Sequence, residues 1–135
     1  MINFQWKDEY SVQVEEIDKQ HKEFVKTLSN FYNMIIAGEE KKALLNIFND
    51  LLSFAVNHFE TEEKYFREFN YSGAEEHIKE HNELKEKLLA LKNKADTEPL
   101  DLSFELIDYL EDWLVNHMAT MDQKYVQCFH EHGLK

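Results

Sequence analysis

Residues 57–66 read NHFETEEKYF and place an imidazole and a carboxylate within an otherwise apolar stretch. His58 and Glu62 are four residues apart, so in an α-helix they lie one turn apart on the same face. The apolar neighbours that share this region are Leu51, Phe54, Ala55, Tyr65 and Phe66. Burying polar groups costs free energy unless they are hydrogen-bonded, paired or bound to a metal. The stretch therefore predicts a long core helix with a polar site inside it.

The composition predicts one helical domain that spans residues 1–135. The chain has ten Phe, six Tyr and two Trp to form a core, but only three Gly and one Pro, which disfavours a turn-rich β fold. Its 27 acidic and 15 basic residues give a formal charge of −12. Nucleic acid and anionic membranes bind mainly through Lys and Arg, so we expect neither as a partner. The single cysteine, Cys128, favours a reducing compartment and hence a cytoplasmic location.

Apolar residues repeat at three- and four-residue steps in four segments, each with a polar back. The predicted helices cover about residues 18–37, 41–69, 74–92 and 100–130. Asp18 is the predicted N-cap of the first helix and Gly38 its stop. The second helix is predicted to bury Leu44, Leu45 and Phe48. Short connections make neighbouring helices antiparallel, so the fold class is all-α, an up-down-up-down antiparallel four-helix bundle.

Residues 1–16 lack a helical period but carry several large apolar side chains, including Phe4 and Trp6. A free tail of this composition would expose too much apolar surface. We therefore expect an ordered N-terminal leader that packs along the bundle.

Five of the seven histidines fall on the apolar stripes of the helices. They are His21, His58, His77, His81 and His117. The other two, His130 and His132, belong to a polar tail and are predicted to be solvated. A single histidine on such a stripe is usually structural and satisfied by a hydrogen bond. In an antiparallel bundle, however, the starts of the first and third helices lie beside the ends of the second and fourth, so all five histidines converge at one end.

Five imidazoles, together with Glu62 and Asp122, predict a metal site. Seven ligands are too many for one ion but suit two ions about 3.5 Å apart that share bridging carboxylates. His117 and Asp122 are five residues apart, about 140° around an ideal α-helix, so Asp122 is expected to reach the site from the side. Glu63 lies about 100° from Glu62 and is predicted to sit at the surface or behind the ligands. Nitrogen-rich ligands favour iron over magnesium or calcium, while zinc also fits the ligand types.

The combined motifs DKQH (18–21), HFETEE (58–63), HIKEH (77–81) and HMATMD (117–122) resemble those of the hemerythrins, above all the single-domain bacteriohemerythrins. This resemblance implies a non-haem di-iron centre. One iron would be held by His77, His81 and His117, and the other, with one open coordination place, by His21 and His58. Glu62, Asp122 and an oxo or hydroxo group would bridge the two ions. In this family dioxygen binds at the open place and takes up electrons from the iron pair reversibly.

Three positions depart from the family pattern without removing a ligand. Gln13 stands where a glycine is usual, and YSG at 71–73 replaces a Tyr-Pro sequence. Phe66 stands where methionine is common, which puts oxygen access and autoxidation in question.

The leading functional hypothesis is reversible dioxygen binding for storage, delivery or scavenging, with no enzymatic reaction. The chain has no Glu-x-x-His motif, which disfavours the carboxylate-rich di-iron enzymes. The apolar residues expected to wall the site are Phe24, Leu28, Phe59, Ile78 and Leu114. One alternative is an enzyme with peroxidase, oxidase or nitric-oxide-handling activity that uses Glu63 or Tyr65. Others are an oxygen or iron sensor that acts through a separate protein partner, and a metal-free bundle with structural histidines.

Overall fold

Four long helices form the protein, and residues 5–94 and 99–135 are described by a computed structural model. Helix α1 spans Glu15–Ile36, α2 spans Glu40–Phe69, α3 spans Ala74–Lys92 and α4 spans Pro99–Trp113. The last helix continues as a π-helical segment, Leu114–Met121, a 3-10 turn, Asp122–Tyr125, and a short helix α5, Val126–Glu131. Within the described ranges there is no strand, which confirms the all-α fold class.

Contacts between side chains show that neighbouring helices run in opposite directions. The start of α1 meets the end of α2, where Gln20 donates a hydrogen bond to Thr61. Between α3 and the fourth helix, Glu80 pairs with His117 and Lys87 pairs with Glu105. The second pair lies seven residues later on α3 but twelve residues earlier on the fourth helix, so the two helices are antiparallel. The bundle therefore brings the first turns of α1 and α3 beside the last turns of α2 and the fourth helix.

Two apolar clusters enclose the layer of histidines. The larger cluster fills most of the bundle and includes Phe24, Leu28, Leu51 and Leu106. The smaller one closes the end at which α2 finishes, and its buried members are Val12, Val14, Ile17, Phe66, Tyr125 and Phe129. Of the predicted wall residues, Phe24, Leu28, Phe59 and Leu114 are buried, while Ile78 is only half-buried. The polar site thus lies between two apolar layers, away from bulk water.

Residues 5–14 lie against the bundle and are tied to it by hydrogen bonds. Tyr10, Val12 and Val14 are buried, and Trp6 packs partly against the larger cluster. Gln123 donates to the carbonyl of Ser11 at 2.8 Å, and His130 Nε2 lies 2.9 Å from the carbonyl oxygen of Gln13. Phe4, also predicted in the leader, lies outside the described residues.

The prediction that Asp18 caps α1 is wrong. The helix begins three residues earlier, and Val14 is its N-cap. The Asp18 carboxylate instead accepts hydrogen bonds from the Ser11 hydroxyl at 2.6 Å and the Val12 amide at 2.7 Å. It therefore fastens the leader to the first turn of the helix, a role that the capping pattern does not reveal.

Three further sequence predictions need correction. Leu45 is 73% exposed because the buried face of α2 follows Leu44, Ile47 and Phe48. The predicted helix over 100–130 begins at Pro99 and changes its hydrogen-bonding pattern twice before it ends. His130 is half-buried and hydrogen-bonded to the leader, whereas the tail was predicted to be solvated.

The described helices include none that could span a bilayer: each is too polar or too short in the ranges that the structure covers.

Candidate metal centre

Seven side chains converge on one buried centre, and they are the seven predicted ligands. Each is at most 1% exposed: His21, His58, Glu62, His77, His81, His117 and Asp122. Their ligand atoms form two groups within which all lie no more than 4.8 Å apart. One group is Glu62, His77, His81 and His117; the other is His21, His58, Glu62 and Asp122. The helices thus build two adjacent half-sites that share Glu62.

The two carboxylates stand between the histidines of the two halves. Asp122 directs Oδ2 toward His21 Nε2 at 3.0 Å, while its Oδ1 lies 2.9 Å from His77 Nε2 and 3.0 Å from His117 Nε2. Glu62 Oε1 lies 3.1 Å from both His58 Nε2 and His81 Nε2. Each carboxylate therefore faces ring nitrogens from both halves, as a bridging ligand would.

The π-helical segment explains how Asp122 reaches the centre. An α-helix would turn it about 140° away from His117. Here the Asp122 amide donates to the carbonyl of His117, which is the five-residue hydrogen bond of a π-helix. This wider turn places residues i and i+5 near the same face. The sequence-based prediction of a sideways approach missed this change, although the five-residue spacing itself is its signal.

Hydrogen bonds at the outer ring nitrogens orient four of the five histidines. The Nδ1 atom of His21 lies 3.4 Å from the carbonyl oxygen of Tyr10. His58 Nδ1 lies 2.7 Å from Oε1 of Gln20. His81 Nδ1 and His117 Nδ1 each lie 3.1 Å from a carboxylate oxygen. All four partners are oxygens that accept, so Nδ1 carries the proton and the Nε2 lone pair of the neutral ring points inward.

Two of these partners are carboxylates on the neighbouring helix. Glu63 of α2 reaches His81, and Glu80 of α3 reaches His117. The hydrogen bond to His81 lowers the pKa of Glu63, although partial burial opposes this shift. Sequence reasoning placed Glu63 behind the ligands or at the surface but missed Glu80 and Gln20. Both precede a histidine by one position, at 80–81 and 20–21, which is a weak signal.

Aromatic rings cover the outer faces of the imidazoles. Phe59 stacks on His81 with ring centroids 3.8 Å apart, Trp113 stacks on His117 at 4.0 Å, and Phe54 stacks on His58 at 5.0 Å. Phe66 meets the edge of His77 at 4.9 Å. These contacts limit ring rotation and keep water from the ligands. Phe66 thus lies beside the three-histidine half.

The carboxylates and histidines of the site strongly shift one another's pKa. Burial raises the pKa of Glu62, but the adjacent histidines outweigh this effect and hold it well below its ordinary value. Burial likewise lowers the pKa of His77, yet Asp122 and Glu62 raise it to about 10. For His58 burial prevails and its pKa is lowered. Without metal, the carboxylates are therefore ionised and share protons with some of the imidazoles.

The donor set fits metal ions better than a hydrogen-bonded network. Both Glu62 oxygens, both Asp122 oxygens and the Nε2 atoms of His77, His81 and His117 lack a hydrogen-bond partner of good geometry among the described residues. Buried polar atoms are normally satisfied, so such a group requires a common partner. Imidazole and carboxylate together suit first-row transition metals. The buried cluster fits a non-haem di-iron site.

Tyr125 is a further buried group beside the cluster. Its side chain is fully buried, its ring lies 5.5 Å from that of His77, and its hydroxyl lacks a hydrogen-bond partner among the described residues. Burial and the nearby charges of Glu62 and Asp122 raise its pKa well above the ordinary value, so it stays protonated.

The fold and the site together define a four-helix-bundle protein with a histidine-rich site for two metal ions. Residues 12–129 match the family described as the Hemerythrin HHE cation binding domain. The chain belongs to the hemerythrin family, as its motifs indicated.

Relatives from distant organisms align over most of the chain. A "Hemerythrin-like protein" of Naegleria gruberi is 30% identical over 122 residues, which cover 90% of each chain. A "Myohemerythrin" of Riftia pachyptila is 30% identical over 120 residues, 89% of this chain and 88% of the relative. A "Bacteriohemerythrin" of Clostridium acetobutylicum is 24% identical over 127 residues, 91% of this chain and 98% of the relative.

Proposed function

We propose that this protein binds dioxygen reversibly at a di-iron centre and serves in oxygen storage, delivery or scavenging. His77, His81 and His117 would hold one iron, His21 and His58 the other, and Glu62 and Asp122 both. The observation that carries the proposal is the unequal division of five imidazoles, three to one half and two to the other, around Glu62 and Asp122, each of which faces histidines of both halves. Membership of the hemerythrin family supports it.

The unequal division supplies a place for a small ligand. If Glu62 and Asp122 each bind both ions, the two-histidine half has one protein ligand fewer than the other half. A surface cavity of about 430 Å³ between α1 and α2 includes Gln20, Phe54 and His58 in its wall. The half with the lower number of ligands is therefore also close to a surface depression. A pair of ferrous ions held there would supply the two electrons that dioxygen accepts.

The protein groups around the centre favour a carrier over an enzyme. Glu63 and Tyr65 are the residues near the α2 motif that the sequence suggested as an acid or a base. Glu63 is paired with His81, and Tyr65 donates its hydroxyl to Glu16 at 2.6 Å on the outside of the bundle. Neither side chain is directed at the centre of the cluster. Apolar and aromatic side chains, including Phe24, Phe54 and Phe59, surround the two-histidine half and restrain proton transfer to a bound ligand.

The test is to load the protein with ferrous iron under argon, count iron per chain, and alternate oxygen with argon while recording the visible spectrum. We expect two irons per chain and a charge-transfer band that comes and goes over repeated cycles. His132→Ala, at an exposed histidine outside the cluster, is the matched control and should behave like the wild type. Permanent oxidation in the first cycle, or catalytic consumption of added peroxide, would favour the enzyme instead.

A further inference from the structure

The outward-facing nitrogens of the histidines differ between the two halves of the site. In the two-histidine half, the acceptors are neutral: a backbone carbonyl for His21 and the Gln20 side-chain amide for His58. In the three-histidine half, His81 and His117 each face a carboxylate. The third member, His77, has no hydrogen-bond partner at Nδ1 among the described residues. All the anionic support thus falls on one half.

An anionic acceptor changes how strongly an imidazole binds a metal. When Nδ1–H donates to a carboxylate, electron density shifts toward Nε2 and makes it a stronger ligand than when Nδ1–H donates to a neutral oxygen. The same hydrogen bond holds the ring at a fixed angle, so less freedom is lost when the metal binds. Both effects raise the affinity of the half in which they occur.

The carboxylates of Glu63 and Glu80 lie where they can remain charged at little cost in solvation free energy. The Glu63 side chain is 22% exposed and that of Glu80 is 32% exposed, so water solvates one side of each while the other side meets the histidine. Each also links two helices, since Glu63 joins α2 to α3 and Glu80 joins α3 to the π-helical segment. They therefore fix two of the three histidines, His81 and His117, across three elements of the bundle.

We infer that Glu63 and Glu80 are positioning residues that make the three-histidine half the tighter metal site, so that the protein loads its two metal ions in a fixed order. The first ion enters among His77, His81 and His117, and the second completes the half formed by His21 and His58. This inference rests on the proposed function only in requiring a two-metal centre. It does not depend on oxygen binding.

Stepwise titration of metal-free protein with Co²⁺ under argon tests the order directly, with a competing chelator to measure tight binding. The wild type should bind two ions with clearly different affinities. Glu63→Gln and Glu80→Gln keep size and shape but remove the charge, and each should weaken the first affinity about 10–100-fold. Gln20→Glu places a carboxylate behind His58 and should strengthen the second affinity.

Charge-matched controls are available on the same two helices. Glu60→Gln on α2 and Glu83→Gln on α3 remove one negative charge each from exposed positions three residues away. Both should bind as the wild type does. In the Zn²⁺-loaded protein, nitrogen-15 NMR of the imidazoles adds a readout that general loosening would not produce. The Nδ1–H signal of His117 should shift in Glu80→Gln, and that of His81 in Glu63→Gln, while the other ring signals stay in place.

The outcomes separate this inference from the proposed function. Two Co²⁺ ions bound with wild-type affinities by both glutamine variants would overturn the inference and leave the metal centre intact. Equal loss in the Glu60 and Glu83 controls would also overturn it, because the effect would then come from net charge alone. Protein that takes up no metal would overturn both, whereas ordered loading without reversible oxygen binding would overturn the proposed function alone.

Discussion

At the scale of single residues, Asp122 joins the two halves of the site most directly. One of its oxygens faces His21 and the other faces both His77 and His117, all within 3.0 Å. A carboxylate can do this because its two oxygens diverge from one carbon. Glu62, on α2, also faces both halves, with its Oε1 near His58 and His81. The remaining ligands are imidazoles, each of which offers one inward nitrogen to one half.

Substitution of a ligand residue and substitution of a core residue should have different effects, the first on metal binding and the second on stability. His58→Ala removes one of two histidines from its half, so we expect one metal ion per chain, no reversible oxygen band and an unchanged helical circular dichroism spectrum. Leu51→Ala should keep both ions but lower the free energy of unfolding by roughly 2–5 kcal/mol, since Leu51 is 1% exposed in the larger apolar cluster. Metal counting and urea unfolding measure the two effects. Loss of the fold in His58→Ala would show that this histidine is structural.

Gln13 has a backbone conformation that favours glycine. Its φ is +55°, in the left-handed region, where a side chain costs about 1–2 kcal/mol. Gln13→Gly should remove that strain, but glycine also raises the conformational entropy of the unfolded chain, which offsets part of the stabilisation. We expect the free energy of unfolding to rise by up to about 1 kcal/mol. Urea unfolding measures the change. Gln13→Ala truncates the same exposed side chain but keeps Cβ, so it should give no such gain.

At the scale of secondary-structure elements, each connection to the site has its own physical cause. Helix α1 is extended at its start by the leader, which Asp18 holds in place. Helix α2 ends at Phe69, where Asn70 adopts φ +49° and turns the chain toward α3. The fourth helix widens into a π-helical segment where it carries His117. Such segments are rare in soluble proteins and occur often at functional sites, as this one does.

The contact between α1 and α2 at their outer edge should produce a measurable pH dependence. The Tyr65 hydroxyl donates a hydrogen bond to Glu16. This bond, with smaller effects of burial and nearby carboxylates, raises the pKa of Tyr65 from 10.0 to about 12. A raised pKa means that the folded state favours the protonated phenol. The resulting stabilisation is present below pH 10 and is lost as the pH rises toward 12.

Tyr65→Phe isolates this contribution, since phenylalanine retains the stacking on Phe69. The difference in free energy of unfolding between wild type and variant should be constant below pH 10 and shrink between pH 10 and 12. Urea unfolding at a series of pH values provides the measurement. A difference that does not change over this range would mean that the hydrogen bond to Glu16 is absent in solution.

At the scale of the whole molecule, the site lies between two apolar clusters and places seven ionisable groups in the interior. In the metal-free protein, protons on the histidines balance the negative charge of Glu62 and Asp122. Metal ions that bind the folded chain and not the unfolded one stabilise it by mass action. At a free concentration 100 times the dissociation constant, one site contributes about 2.7 kcal/mol.

Metal removal should therefore lower the stability of the entire bundle and not of one helix alone. We expect a single unfolding transition whose urea midpoint rises with added Co²⁺ and returns when a chelator is added. Circular dichroism at 222 nm follows all helices together. In His58→Ala, which keeps one half of the site, the rise should be smaller than in the wild type. A midpoint independent of metal would exclude tight binding to the folded state.

Much of this architecture can be predicted from local sequence patterns. The helical period of apolar residues locates the four helices, and the positions of five histidines along those helices predict that they meet at one end. Both inferences depend on regularities within a single helix and on the antiparallel order of neighbours. The predicted ligands His77 and His81, for example, need only the four-residue spacing to share a face.

Other features are decided by the tertiary structure. Glu80 is one of many acidic residues on α3, and only the approach of the fourth helix places it beside His117. Phe59 and Trp113 cover imidazoles that belong to other turns or other helices. Asp18 binds the leader and not its own helix terminus.

The sequence by itself determined the helices, their order and the seven side chains that meet in the core, because those follow from the period of a helix and the sizes and polarities of its residues. The tertiary structure decided the hydrogen-bond acceptors behind the histidines and the wider turn that brings Asp122 inward. Both features depend on which side chains of a neighbouring helix come within about 3 Å of a ring nitrogen, as Glu80 does for His117. Such distances are set by the packing of several helices at once, and no single segment of the chain contains them.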